Sequence, residues 1–192
     1  MKEEIICAGF GGQGVMLLGK IMAYSALSEG KHVTWIPSYG AAMRGGTAFC
    51  MVVIADEEIA SPYVENSNTL FVFNQPSWDK FQHQVKANGL VLLNSTLIHN
   101  NKEDIIEENI TLRSAPFTEI ASGLGNVQAA NMAALGVFLR ERDVLKYETV
   151  LKVLSELAPR GRQDLVDINR KALEKGYNYF SRVQACLHRD KR

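Results

Sequence analysis

Cysteine is scarce and scattered in this chain. Its 192 residues include three, Cys7, Cys50 and Cys186, and no two of them form a Cys-x-x-C pair. That spacing excludes the zinc and iron–sulfur sites built on clustered thiolates. An odd, dispersed set fits a reducing cytoplasm better than a disulfide framework. Cys7 and Cys50 each sit in an apolar run and read as small hydrophobes inside strands. An excess of charge of one sign is also missing, because Lys plus Arg and Asp plus Glu both number 21. A zero balance argues against a dedicated nucleic-acid binder, whose affinity depends on neutralising phosphates. It also leaves little repulsion between molecules, which suits a subunit of a complex. No apolar stretch reaches the ~18 residues that a membrane span needs. The amino terminus, Met-Lys-Glu-Glu, runs straight into a strand pattern, so no signal peptide is expected. The four histidines, His32, His83, His99 and His188, form no catalytic constellation with a serine and an acid.

The remaining composition is ordinary for a globular protein, 46% apolar and 22% charged. The length suits one domain over residues 1–192, with a charged tail from 181 expected to fray. Strands are expected at 4–8, 33–36, 47–54, 70–73, 90–94 and 110–114, with a short further one near Ile59. Helices are expected at 14–29, 76–85, 116–122, 126–140, 147–158 and 163–180. Asn88-Gly89 reads as a turn between elements. Short apolar strands alternating with helices predict an α/β chain: a three-layer, Rossmann-like sandwich with a largely parallel sheet and a helical C-terminal part.

The most informative stretch is Ile5 to Gly14, where an apolar run ends in Gly9, Gly11, Gly12 and Gly14 and a helical pattern follows. Strand, glycine loop and helix start, in that order, are how a backbone cradles phosphate. The spacing Gly9-x-Gly11-x-x-Gly14 has the form of the dinucleotide fingerprint. A Walker loop is excluded, because Gly14 is followed by Val15-Met16 and not by lysine and a hydroxyl residue. A nicotinamide or flavin site needs an acid at the end of the second strand to hold the ribose. That strand ends at Ile36-Pro37-Ser38, and Glu29 stands before it. Two readings stay open: a phosphate-bearing ligand of another kind, or glycines that only permit tight packing or a subunit contact.

In a parallel sheet the loops after the first and second strands lie side by side at one edge. The second loop carries Ser38, Tyr39 and Arg44, then Gly45-Gly46. Arg44 suits a phosphate or a partner's carboxylate. The helix from Asn126 carries Val127, Ala129, Ala130, Met132, Ala133, Leu135, Val137, Phe138 and Leu139, and so has almost no polar face. It is expected to be buried, as a sheet-covering helix or in a subunit contact. Asn131 is the odd residue in it; a buried amide needs partners, so it ties to a loop or lines the ligand cleft.

Gly9-Phe10-Gly11-Gly12-Gln13-Gly14, Ser38-Tyr39-Gly40, Arg44-Gly45-Gly46, Leu124-Gly125-Asn126 and Asn131-Met132-Ala133-Ala134-Leu135-Gly136 follow one another in that order. With this set the chain resembles the gamma subunit of 2-oxoacid:ferredoxin oxidoreductases, from about residue 4 to about residue 180. The resemblance implies oxidative decarboxylation of a 2-oxoacid to an acyl-CoA, with reduction of ferredoxin. It implies thiamine diphosphate, magnesium and iron–sulfur clusters on alpha, beta and delta-type partner subunits, and ferredoxin acting through the complex. It implies coenzyme A as co-substrate and no cofactor held stably by this chain, which would be inactive alone. By position, Gly9, Gly11, Gly12, Gln13 and Gly14 would meet phosphate, with Ser38 and Arg44 flanking it. The substrate leaning is 2-oxoglutarate or a branched-chain acid. The alternatives are a free-standing nucleotide-dependent oxidoreductase and a purely structural subunit of the same complex.

Overall fold

A computed structural model describes residues 1–38, 47–99, 109–159 and 161–181. Among these residues, six strands form one sheet. They are β1 (Lys2–Phe10), β2 (His32–Ser38), β3 (Thr47–Ala55), β4 (Ser67–Val72), β5 (Val85–Asn94) and β6 (Thr111–Ala115). The helices are α1 (Val15–Ser28), α2 (Gln75–Phe81), α3 (Phe117–Ser122), α4 (Ala130–Glu141), α5 (Tyr147–Glu156) and α6 (Gln163–Tyr177). The strand order is β2-β3-β1-β4-β5-β6.

The sheet is mixed. β1, β4, β5 and β6 pair in parallel, while β3 runs antiparallel to both β1 and β2. Only residues 39–46 join β2 to β3. A parallel crossover needs a dozen or more residues, so a link of that length forces reversal. The carboxyl ends of β1 and β2 therefore share one edge of the sheet, with β3 between them.

Other differences have local causes. No strand forms near Ile59, which lies in irregular chain. Asn88-Gly89 does not separate elements; it kinks β5 from within, with Asn88 at φ 62° and a register shift against β4 between Ser67 and Thr69. The helix expected over 76–85 begins at Gln75, ends at Phe81 and tightens to a 3₁₀ turn at Gln82–Gln84, leaving Val85 to begin β5. Asn126 acts as a cap, its Oδ1 accepting from Gln128 N–H at 3.0 Å. It opens a 3₁₀ turn, Val127–Ala129, before α4 starts, and Val127 is exposed rather than buried. The last helix stops at Tyr177, and α5 stops at Glu156. The tail expected to fray lies, from 182 onward, outside the described residues.

Side chains alternate across the sheet as strand geometry requires. Ile5, Cys7, Cys50, Val52, Phe71 and Leu92 face the layer formed by α1 and α3 to α6. Ile6, Ala8, Met51, Val53, Leu70 and Val72 face α2, with Val64 and Ile98 completing that side. Cys7 and Cys50 lie opposite each other in the β1–β3 ladder, both buried and free. Burial pushes the Cys7 thiol well above its ordinary range.

α4 resolves one open alternative. Ala130 to Leu139 are all buried, because α4 packs on β5 and α3 and is covered by α6. It is a core helix. Its crossing with α6 is a backbone contact. A Cβ on Gly176 would fall 1.9 Å from Ala133 O, and one on Gly136 would fall 2.1 Å from Leu173 O.

Gly176→Ala should therefore cost at least about 2 kcal/mol in urea denaturation, the order of overpacking penalties. Gly123→Ala, whose methyl would meet only ordinary contacts beyond 3.5 Å, should stay within about 1 kcal/mol of wild type.

Glu3 is buried in β1, where its carboxylate accepts from Thr69 Oγ1 at 2.5 Å. Desolvation raises its pKa, against the opposing hydrogen bond from Thr69. A raised acid is protonated more readily when folded, so its contribution is full at low pH and is lost as pH rises through the raised value. Glu3→Gln should thus raise the melting temperature at pH 7. The gain should shrink as pH falls toward the ordinary carboxylate range.

Candidate functional site

The glycine loop lies at the carboxyl edge of the parallel strands, between the end of β1 and the start of α1. Gln13 organises it from within. Gln13 N–H donates to Phe10 O at 3.2 Å, closing a turn. Its side-chain Oε1 accepts from Phe10 N–H at 2.6 Å and from Asn74 Nδ2 at 3.3 Å. Its Nε2 donates to Phe73 O at 3.3 Å. The side chain is therefore folded back onto the ends of β1 and β4.

The four glycines divide into two pairs. Gly9 and Gly14 are packed. A Cβ on Gly9 would stand 2.7 Å from Gln13 Oε1 and 3.1 Å from Phe73 Cβ; one on Gly14 would stand 2.3 Å from Asn131 Nδ2. Gly14 also takes the left-handed conformation, φ 75°, as N-cap of α1. Gly11 and Gly12 are exposed, and a Cβ on Gly12 would meet nothing within 4 Å, although its φ of 94° still selects glycine.

Beside the loop opens a cleft of about 320 Å³. It is lined by Gly11, Gly12 and Gly14 of the loop, by Val15, Met16 and Leu17 at the start of α1, and by Phe10, Ala48, Gln128 and Asn131. No side chain caps α1, and its first turn holds no acid. The first amides of a helix have no intrahelical acceptor, so this end offers N–H groups and a partial positive charge. Asn131 does both things expected of it. It lines the cleft, and its Nδ2 ties to Gly14 O at 3.0 Å.

Ser38 ends β2 opposite Phe49. It stands across β3 from the loop and is not part of the cleft lining. Arg44 lies outside the described residues. Sequence reasoning missed Asn74, Asn94 and Thr118. Asn94 Nδ2 donates to Phe73 O and to Thr118 Oγ1, and Asn94 Oδ1 accepts from Thr118 N–H. Asn74 Oδ1 caps α2 through Ser77 N–H at 2.8 Å. Asn74 and Asn94 each close an apolar strand run at this edge, and that position was the available signal. Among the described residues no group of three or more His, Cys, Asp or Glu could hold a metal ion. No described helix is long and apolar enough to cross a membrane.

Comparison with known proteins matches residues 4–179 to the pyruvate ferredoxin/flavodoxin oxidoreductase family. The chain belongs to this family. The ketoisovalerate oxidoreductase subunit VorA of Methanothermobacter marburgensis is 39% identical over 172 residues, covering 90% of this chain and 35% of VorA. The chain thus spans about a third of the length of the VorA relatives. The 2-oxoglutarate synthase subunit KorC of Methanocaldococcus jannaschii is 34% identical over 179 residues, covering 92% of this chain and 93% of KorC. The gamma subunit of a keto/oxoacid ferredoxin oxidoreductase from Geobacter sulfurreducens superposes with a TM-score of 0.77 at 29% identity. That match covers 92% of this chain and 96% of the other. In this oxidoreductase family member, the mixed sheet and its edge loop are accordingly the fold of a gamma-type subunit.

The Gln13 clamp is open to test. Gln13→Ala should cost about 0.5–1.5 kcal/mol, because Phe10 N–H and Asn74 Nδ2 lose their shared acceptor while Phe73 O keeps its bond from Asn94. Hydrogen exchange at the Phe10 amide should quicken. An unchanged exchange rate would show that the loop holds its shape without the clamp.

Proposed function

We propose that this chain is the gamma subunit of a 2-oxoacid:ferredoxin oxidoreductase complex, a required but non-catalytic component that helps to seat coenzyme A and to hold the assembly together. The observation that carries this reading is the near end-to-end correspondence with KorC and with the Geobacter gamma subunit. The complex would convert a 2-oxoacid, coenzyme A and two oxidised ferredoxins to an acyl-CoA, carbon dioxide, two reduced ferredoxins and a proton. The carbon–carbon cleavage and electron transfer belong to thiamine diphosphate, magnesium and iron–sulfur clusters on alpha, beta and delta-type partners. The described residues offer no ligand cluster for metals of that kind. The substrate is 2-oxoglutarate or a branched-chain 2-oxoacid, the two classes for which the KorC and VorA relatives are named. The free thiols of Cys7 and Cys50 suit a cytoplasmic setting.

The coenzyme A role is supported by the exposed Gly11-Gly12 backbone, by the uncapped start of α1 and by the adjoining cleft. Gly9, Gln13 and Gly14 would act by shaping this loop, and Arg44 would supply a positive charge to the phosphate; Ser38 stands across β3 from the loop. A free-standing nucleotide-dependent oxidoreductase is the weaker reading. No acid stands from Ile36 through residue 46 to grip a ribose.

Two measurements test the proposal. The purified chain should show no turnover with 2-oxoacid, coenzyme A and ferredoxin, and activity should appear only with its partner subunits; turnover by the chain alone would overturn it. Gly12→Val in the reconstituted complex should raise the KM for coenzyme A at least about tenfold, while the KM for the 2-oxoacid holds. Equal kinetics for the variant would leave the chain a purely structural subunit.

A further inference from the structure

α1 has the composition of a buried helix but is covered on one side only. Its 14 residues, Val15–Ser28, include a single charged side chain, Lys20, and no acid. The inward face packs on β1, β2 and β3, with α4 and α5 beside it. The residues left exposed are Leu17, Tyr24, Leu27 and Ser28. Neighbouring helices of this layer have polar outer faces. α5 exposes Glu148, Lys152, Ser155 and Glu156, and α6 exposes side chains such as Asp167, Arg170, Lys171 and Glu174. A helix that is apolar all round belongs inside a structure, so the outer face of α1 is short of a cover.

Leu17, Lys20, Tyr24 and Leu27 recur at the helical seam spacing and form one line about 15 Å long. Leu27 is 58% exposed, Tyr24 46% and Leu17 39%. Lys20 lies over the Tyr24 ring, 5.6 Å from its centroid, and none of the ion pairs among the described residues includes it. Charge decides against a second copy of this chain as the cover. α1 has no carboxylate to offer Lys20 of another α1, so the line does not complement itself. The relatives favour a larger neighbour. VorA is matched over 35% of its length, so there the unit shares a chain with further protein, whereas KorC is matched over 93%. A free-standing unit must hold by contact the neighbour that a longer chain holds covalently. Leu17 also lines the cleft beside the glycine loop, so a body seated on the line reaches the rim of that cleft. We infer that the line from Leu17 to Leu27 docks a partner subunit of the oxidoreductase, the counterpart of VorA beyond the matched region, through an apolar face that bears a carboxylate opposite Lys20. This rests on the subunit reading above and adds the place and the chemistry of attachment.

The experiment reconstitutes the complex from the full chain and partner subunits depleted of it. Tyr24→Glu and Leu27→Glu should each weaken assembly at least about tenfold, while Lys171→Glu on α6 should leave it within about twofold. Both α1 positions are exposed, so the free variant chains should melt close to wild type. Lys20→Glu should slow association at low salt at least about fivefold, and the gap should close as salt rises; a rate indifferent to Lys20→Glu overturns the carboxylate. A second readout uses wild type alone. Hydroxyl-radical footprinting should find Tyr24 and Leu27 less oxidised in the complex than in the free chain. Variants that assemble as wild type does, or side chains oxidised equally in both states, overturn the docking surface while the subunit role stands. Protection that grows with the concentration of the free chain alone assigns the face to a second copy and overturns it as well. Wild-type chain that joins no partner subunit overturns both readings.

Discussion

The edge of the sheet where the strands end is held by uncharged carboxamides. Gln13 joins the end of β1 to the end of β4, and Asn74 adds its amide to the same oxygen of Gln13. Asn94 shares the Phe73 carbonyl and carries the chain of bonds on to Thr118 at the start of α3. Asn131 closes the other side by reaching Gly14 from α4. Each carboxamide carries donors and an acceptor together, so such a network extends without bringing a charge into the interior. In the low dielectric of a protein interior these bonds are strong when made and costly when broken. The edge is thus fixed in shape at any pH where the chain is folded, and the glycine loop inherits that shape.

The constraint reaches back to the C-terminal helices. Asn131 can hold Gly14 only if α4 lies at one depth and one rotation. That position is set by the close crossing with α6, where Gly136 and Gly176 let backbone meet backbone. Tyr177 packs on Tyr147 of α5, with ring centroids 4.9 Å apart, and takes the Arg140 guanidinium over its face. α6 supplies none of the described cleft lining, yet it determines where the loop's brace stands. The glycines at the crossing and the glycines of the loop serve one purpose at two removes: both allow an approach that a Cβ would forbid.

Elements with strong periodicity were legible in the sequence. The buried face of α1, namely Val15, Leu18, Ile21, Met22, Ser25 and Ala26, is buried as its spacing indicates. The all-round apolar character of α4 correctly marked a buried helix. Pairing direction was not carried by the hydrophobic pattern, because β3 is buried on both faces and reads the same whether parallel or antiparallel. The length of the link before it carried that information. The turn at Asn88-Gly89 misled because the dipeptide encodes a left-handed residue, and a kink inside a strand needs one as much as a turn does. At the site, the glycines marked the loop beside the cleft but could not divide themselves between packing and opening. That division depends on Gln13 and Asn131, which contact the loop from within and from 117 residues away. A long-range contact of this kind leaves no mark on local pattern.

The relatives separate what this fold needs from what its context adds. In VorA the matched region is about a third of a longer chain, and in KorC it is nearly the whole chain. A unit found in both settings must close its own core, and this one does: the large apolar side chains of both sheet faces are buried within the described residues. Attachment to a neighbour can then be covalent or not without altering the loop. The bonds of Gln13, Asn74, Asn94 and Asn131 fix the geometry at the sheet's edge from inside the unit.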